Sequence, residues 1–266
     1  MLQIRGFNLR KIPMQEVHMV AQGKGGVGKS FISTLIAQYL QPKTAALHCY
    51  DTDPVNPTFS QYQVLKPKIV NILTEDNTIN TRFFDELMED LFNLEGVAVV
   101  DNGAATFVPL MAYMAENDVA EMLAENNVRL VVHIPVTGGQ ALSECLKGLN
   151  QTLNTMNAEV VVWLNEYGGK IEQDGKSFEQ FGIYKEHKNS ILGTVLLENF
   201  SADTYGHDIG KMTSLNLTFD EVKTSEHFRI MSKNRLKKFK EYVFEQLDAL
   251  PLTDAESNHE LELQSE

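Results

Sequence analysis

The residues Gly23-Lys24-Gly25-Gly26-Val27-Gly28-Lys29-Ser30 fit the pattern G-x-x-x-x-G-K-[ST] without a gap. Their types and spacing suit one task, which is holding a chain of phosphates. Glycines without Cβ atoms let successive backbone N–H groups turn inward and approach phosphate oxygens. A helix starting at the end of the loop adds the positive end of its dipole. Lys29 supplies a full positive charge for β- and γ-phosphates, and the Ser30 hydroxyl is placed to ligate Mg²⁺. A second lysine, Lys24, stands near the start of the loop, and a simple phosphate cradle does not require it.

Two further groups of carboxylates follow. Asp51-Thr52-Asp53-Pro54-Val55-Asn56-Pro57 comes directly after an apolar run, and its two prolines exclude a helix. Val97-Ala98-Val99-Val100-Asp101 is an apolar run closed by a single carboxylate. That is the form of a buried central strand delivering Asp101 to a Mg²⁺ ion. Carboxylates at strand ends of an open α/β sheet lie where ligands bind. Asp53 also suits a turn before proline, and Asp101 also suits a helix cap.

The elements that must position these groups are legible from periodicity. Val17–Ala21 reads as a strand and Phe31–Leu40 as a helix, which gives the phosphate loop a strand on one side and a helix on the other. Thr44–Tyr50, Val97–Val100, Val128–Val136, Glu159–Asn165 and Ile191–Leu197 read as further strands. Ile69–Leu73 is a short strand or extended loop. Helical patterns cover Thr81–Leu94, Pro109–Leu123, Gln140–Met156 and Thr224–Leu247, the last with Thr224 or Ser225 as its cap. The alternation predicts one α/β domain over residues 1–250, a doubly wound and mostly parallel sheet flanked by helices. Residues 1–14 read as a short strand or an N-terminal arm before the core. Residues 168–188 are polar and read as an insertion near the ligand mouth. Residues 251–266 hold five acidic groups and no Lys or Arg, and read as a disordered tail.

Composition bounds the function. With 266 residues, 43 % hydrophobic and 22 % charged, the chain has an ordinary globular make-up. A net charge of −13 argues against DNA binding by the whole surface. Cys49 and Cys145 give neither a disulfide framework nor metal spacing, and suit buried positions in a reducing cytoplasm. No apolar run approaches the ~20 residues of a membrane span. The basic N-terminus lacks the apolar region of a signal peptide. His133 reads as a satisfied core histidine.

The segment Lys24–Ser30 resembles the deviant Walker A signature of the ParA/MinD class of P-loop ATPases, and Asp51–Pro54 resembles the Asp-x-Asp-Pro of that class's switch I. The resemblance implies that Lys24 reaches across an ATP-dependent homodimer to the partner's nucleotide. It implies that Asp53 orients the attacking water and contacts the metal's water shell, and that Asp51 supports it. Gly25, Gly26, Val27, Gly28, Lys29, Ser30 and Phe31 would line the phosphates, with Ser30, Asp53 and Asp101 around Mg²⁺. Asn165 would hydrogen-bond the purine. The Asp expected of a guanine-reading Asn-Lys-x-Asp is missing after Asn165, which favours ATP over GTP. The chain departs from the class at Val55-Asn56-Pro57 and at Asn102-Gly103-Ala104-Ala105-Thr106, where partition ATPases have Asp-Thr-Pro-Pro after the strand. Both departures are shared with TraL-type conjugal transfer proteins of plasmids, which the segments around His18, Asp51, Asp101 and Trp163 also resemble.

That resemblance implies an ATPase switch in plasmid transfer or maintenance, slow without a partner, acting with conjugation or partition proteins. The alternatives are a small-molecule ligase or kinase on the same scaffold and a non-hydrolysing ATP-binding adaptor. The basic stretch Arg229, Lys233, Arg235, Lys237, Lys238 and Lys240 reads either as a DNA-backbone patch or, better, as a solvated helix face. The acidic end argues against a membrane-targeting helix.

Overall fold

The computed structural model describes residues 15–252 apart from 75, 77, 78 and 94. The N-terminal arm and the chain beyond Leu252 lie outside the described residues. Leu252 itself is 1 % exposed and sits in the core.

The described elements are β1 (Gln15–Val20), α1 (Lys29–Leu40), β2 (Leu47–Asp51), β3 (Lys68–Ile69), α2 (Phe84–Phe92), β4 (Val97–Asp101), α3 (Phe107–Glu116), α4 (Val119–Glu125) and β5 (Val128–Thr137). They continue as α5 (Leu142–Thr155), β6 (Glu159–Asn165), β7 (Glu172–Gln173), β8 (Lys176–Ser177), α6 (Gly182–Glu186), β9 (Ile191–Leu197), α7 (Tyr205–Ser214), α8 (Phe219–Thr224) and α9 (Ile230–Asp248). Seven strands form one parallel sheet in the order β3-β2-β4-β1-β5-β6-β9. The expected doubly wound sheet is present.

Helices cover both faces, which is why the strands are apolar almost without interruption. Val17, Met19, Ala98, Val100, Val132 and Ile134 face one core, under α2, α3 and α5. Val20, Val99, Val131, Val161 and Trp163 face the other, under α1, α7, α8 and α9. The chain runs outward from β1 to β2, then crosses back through β4 and over to β5. The loop after β1 therefore lies at the point where the winding reverses, where such sheets bind ligands.

Three expectations are corrected. The helix over Pro109–Leu123 is two helices, α3 and α4, broken where Asp118 takes φ 46°. The helix over Thr224–Leu247 is also two. Thr224 ends α8, the true cap is Thr218 in a capping box with Glu221, and buried Phe228 fills the joint before α9. Residues 168–188 are the crossover from β6 to β9, with a short β7–β8 hairpin. Ile171, Phe178 and Phe181 anchor it in the core, so it is built into the fold.

His133 is satisfied, as expected. The Trp163 indole N–H donates to His133 Nδ1 at 3.0 Å. That places the His133 proton on Nε2, 2.9 Å from His18 Nδ1. His18 in turn directs Nε2–H to Glu16 at 3.3 Å. Arg129 closes the chain by donating to Glu16 and Glu159. Burial and the neighbouring His18 hold His133 well below the usual histidine range, so it stays neutral.

Candidate phosphate-binding site

The loop between β1 and α1 is shaped by Gly28, whose φ of 94° lies in the left-handed region. Its carbonyl accepts the first helical bond, from Ile32 N–H at 2.9 Å. No side chain caps α1, so its first N–H groups and its dipole face the loop's concavity. The Lys29 ammonium is buried and donates to Lys24 O at 3.1 Å, spanning the loop from inside. Burial lowers its pKa, opposed by the charges of Asp101 and Asp53. This is an anion cradle with one fixed cation. A Cβ on Gly28 would lie 3.0 Å from Asn165 Nδ2. Gly28→Ala is therefore expected to cost about 1–3 kcal/mol in urea unfolding and to weaken nucleotide binding at least about tenfold by calorimetry.

Asp101 ends β4 beneath this cradle and is 1 % exposed. It accepts hydrogen bonds from Ser33 Oγ at 2.8 Å and from Ser30. Burial nonetheless pushes its carboxyl up to about 7, with Asp51 adding to the rise. A buried carboxyl with only hydroxyl donors suits a divalent cation, which would favour the ionised form. Asp51 is also buried and is raised by burial. Its oxygens accept from the N–H groups of Asp53 at 3.1 Å and Ser60 at 2.8 Å, so Asp51 acts as the strut of the loop. Asp53 Oδ1 accepts from Val55 and Asn56 N–H at 2.9 and 3.0 Å, which is the turn that its position before Pro54 permits. Gly103 lies against it, and a Cβ there would come within 2.8 Å of Asp53 Cγ. Ser30 bonds to Asp101, and Asp101 and Asp53 both lie near enough to Lys29 to act on its charge, so the three fit a Mg²⁺–phosphate group in donor type.

The remaining candidates take different positions. The Val27 side chain is buried in the core, so only its backbone is available to a ligand. The Phe31 ring stacks on Phe239 at 6.2 Å between centroids and belongs to the second core. Asn165 straps β6 to the loop: its Nδ2 donates to Val27 O at 3.1 Å and its Oδ1 accepts from Tyr167 N–H at 3.2 Å. Lys24 Nζ forms an ion pair with Glu144 on α5 at 2.7 Å, raising Lys24 and lowering Glu144. Sequence reasoning missed Glu144, which no local pattern marks. It also missed Gln22, whose buried amide donates to Pro135 O and Cys145 O and accepts from Gly23 N–H, fixing the loop's first residue to β5 and α5. Ser33 could have been found, since three residues after Ser30 on a helix is the same face.

The family model described as the CobQ/CobB/MinD/ParA nucleotide binding domain matches residues 18–231. The chain belongs to this nucleotide-binding family. Two proteins named TraL from Escherichia coli are each 44 % identical to it. One aligns over 238 residues, covering 89 % of this chain and 98 % of its own length. The other aligns over 237 residues, 88 % of this chain and 98 % of its own. Among solved structures, the chain is similar to a putative plasmid partition protein from Borrelia burgdorferi bound to AMPPNP, with TM-score 0.45, 14 % identity and coverage of 87 % and 97 %. It is also similar to the MinC:MinD complex of Aquifex aeolicus, with TM-score 0.48, 14 % identity and coverage of 84 % and 95 %.

The basic stretch of the last helix is largely engaged within the molecule. Arg235 pairs with Asp208, Lys240 with Asp220 and Lys237 with Glu241, and Lys233 donates to Lys223 O. These contacts favour the solvated-face reading. Among the described residues, no helix is long and apolar enough to cross a membrane.

Proposed function

We propose that this protein is a Mg²⁺-dependent ATPase switch that dimerises on ATP and serves plasmid conjugal transfer or maintenance in the cytoplasm. What supports the reading is the grouping of Lys29, Ser30 and Asp101 about one uncapped helix N-terminus at the reversal point of the sheet, with Asp53 near Lys29 and Lys24 held beside the loop by Glu144. In this reading catalysis is electrostatic: the loop N–H groups and Lys29 hold phosphate charge, and Asp53 orients water. Mg²⁺, when bound by Ser30 and Asp101, would supply charge for the transferring phosphoryl group. The role in transfer rests on the likeness to TraL proteins.

The test is calorimetry with ATP and Mg²⁺, followed by light scattering with no nucleotide, ADP or a non-hydrolysable ATP analogue. Nucleotide uptake with a doubled mass only in the analogue supports the proposal. No uptake overturns it.

The Lys24–Glu144 pair makes a second expectation specific. Lys24 must leave Glu144 before it can serve a partner subunit. Glu144→Gln is expected to raise the dimer fraction at limiting ATP, by less than about fivefold because the pair is exposed and screened. The gain should shrink in high salt. An unchanged or smaller dimer fraction in Glu144→Gln would show that the pair does not restrain Lys24.

A further inference from the structure

At the C-terminal end of β4, Asn102 is wholly buried, as are its neighbours Thr52 and Thr106. Its Oδ1 accepts from Thr52 Oγ1 at 3.0 Å and from Thr106 Oγ1 at 2.7 Å. A carbonyl oxygen has two lone pairs, so this one atom is fully used. The two donors come from different elements. Thr52 sits between Asp51 and Asp53 at the end of β2, and Thr106 immediately precedes α3. The backbone adds a third element, since Asn102 N–H donates to Val20 O at 3.0 Å, at the foot of the phosphate loop. Phe107, the first residue of α3, lies against that loop: a Cβ on Gly23 would sit 3.0 Å from its Cδ1.

Each threonine hydroxyl also lies near a second acceptor, at the end of β4 or in the turn after it. Thr52 Oγ1 lies 3.1 Å from Asp101 O, and Thr106 Oγ1 lies 2.9 Å from Gly103 O. The hydroxyls therefore do not need Asn102 for satisfaction. The Thr52 N–H also donates to Asp101 O at 2.9 Å, so what the amide adds is a single buried oxygen shared by the Thr52 and Thr106 hydroxyls.

We infer that Asn102 is a positioning residue that joins the Asp53 loop to the start of α3, so that both respond together to the phosphates held beside Asp101. This rests on the proposed function. A shift of the Asp101–Gly103 backbone moves one oxygen to which both hydroxyls are bonded. Both bonds resist stretching because the loss of either leaves the buried Asn102 oxygen short of a donor. The Asp53 loop and α3 are therefore displaced as a unit, and α3, with Val108 60 % exposed on it, presents the result at the surface.

The test uses Thr52→Val and Thr106→Val, which keep side-chain shape and leave the Asn102 oxygen one donor each. Hydrogen exchange is followed on the full chain with Mg²⁺ and a non-hydrolysable ATP analogue, with affinity measured by calorimetry. In the unaltered protein the analogue should slow exchange at the phosphate loop, at residues 52–60 and at residues 107–116. Thr52→Val should keep affinity within about threefold yet lose protection of 52–60 by about fivefold or more, and Thr106→Val should lose it only at 107–116. In turnover assays, Thr52→Val should lower kcat with KM unchanged. Wild-type protection of both segments in both variants, with nucleotide bound, would overturn the link alone. Absence of uptake by the unaltered protein would overturn the proposed function and the link with it.

Discussion

Replacing Asp101 with Asn should make the nucleotide-free protein more stable at pH 8 while removing its Mg²⁺-dependent turnover. The folded carboxyl titrates near 7, against an ordinary value of 3.8. The folded state therefore holds the proton more tightly than the unfolded state does. Between about pH 4 and 7 the unfolded chain gives up this proton first, so stability falls as pH rises through that window and levels off above it. Asn cannot lose a proton and escapes the fall. A displacement of about 3 units corresponds to about 4 kcal/mol at pH 8, and to almost nothing at pH 4. Asp51 is raised in the same direction and interacts with the Asp101 charge, so the difference reports Asp101 together with its coupling to Asp51. Urea unfolding at pH 4.5 and 8 measures the stability. Phosphate release should drop about 10²–10³-fold, since a charge aimed at the metal is gone. A variant less stable than the parent at pH 8 would mean that the Asp101 charge is compensated in the apo fold and its carboxyl is not raised.

The two loop lysines should separate cleanly. Lys29→Met keeps the buried stem and removes a charge that burial already disfavours. Nucleotide affinity is expected to fall about 10²–10³-fold by calorimetry, because charge-assisted contacts to the phosphates vanish. Apo stability should change little. Lys24→Met removes a half-exposed ammonium paired with Glu144 outside the cradle. It should leave affinity within about threefold while turnover falls about 10³-fold, the scale of a cation supplied in trans. Light scattering with the analogue should then show no dimer. Equal losses of affinity in the two variants would place Lys24 in its own subunit's site.

The cradle's residues were readable one by one because the chemistry of the loop is local. Phosphates need consecutive backbone N–H groups, so Gly23–Ser30 must be contiguous, and the flanking strand shows as a short apolar run and the helix in a period of 3.6. Strand ends carrying Asp53 and Asp101 were legible for the same reason: an apolar run closed by a carboxylate is a contiguous pattern. Helix interruptions were not read. Asp118 breaks one helix by a left-handed residue that apolar spacing does not register, and buried Phe228 joins the second core at the break between α8 and α9. The Thr218–Glu221 capping box was there to be seen and went unused.

The chain by itself determined the parallel sheet, the phosphate loop and the order of its carboxylates. Only the tertiary structure decided what those groups touch. Glu144 meets Lys24 from a helix 120 positions away in the sequence, Gln22 reaches Cys145, and Asn102 meets Thr52 across two neighbouring strand ends. Such contacts depend on strand order and on how helices settle against the sheet, and a linear pattern carries neither. The same holds for Asp101's proton affinity, because the burial that sets it is assembled from β4, α1 and β2 together.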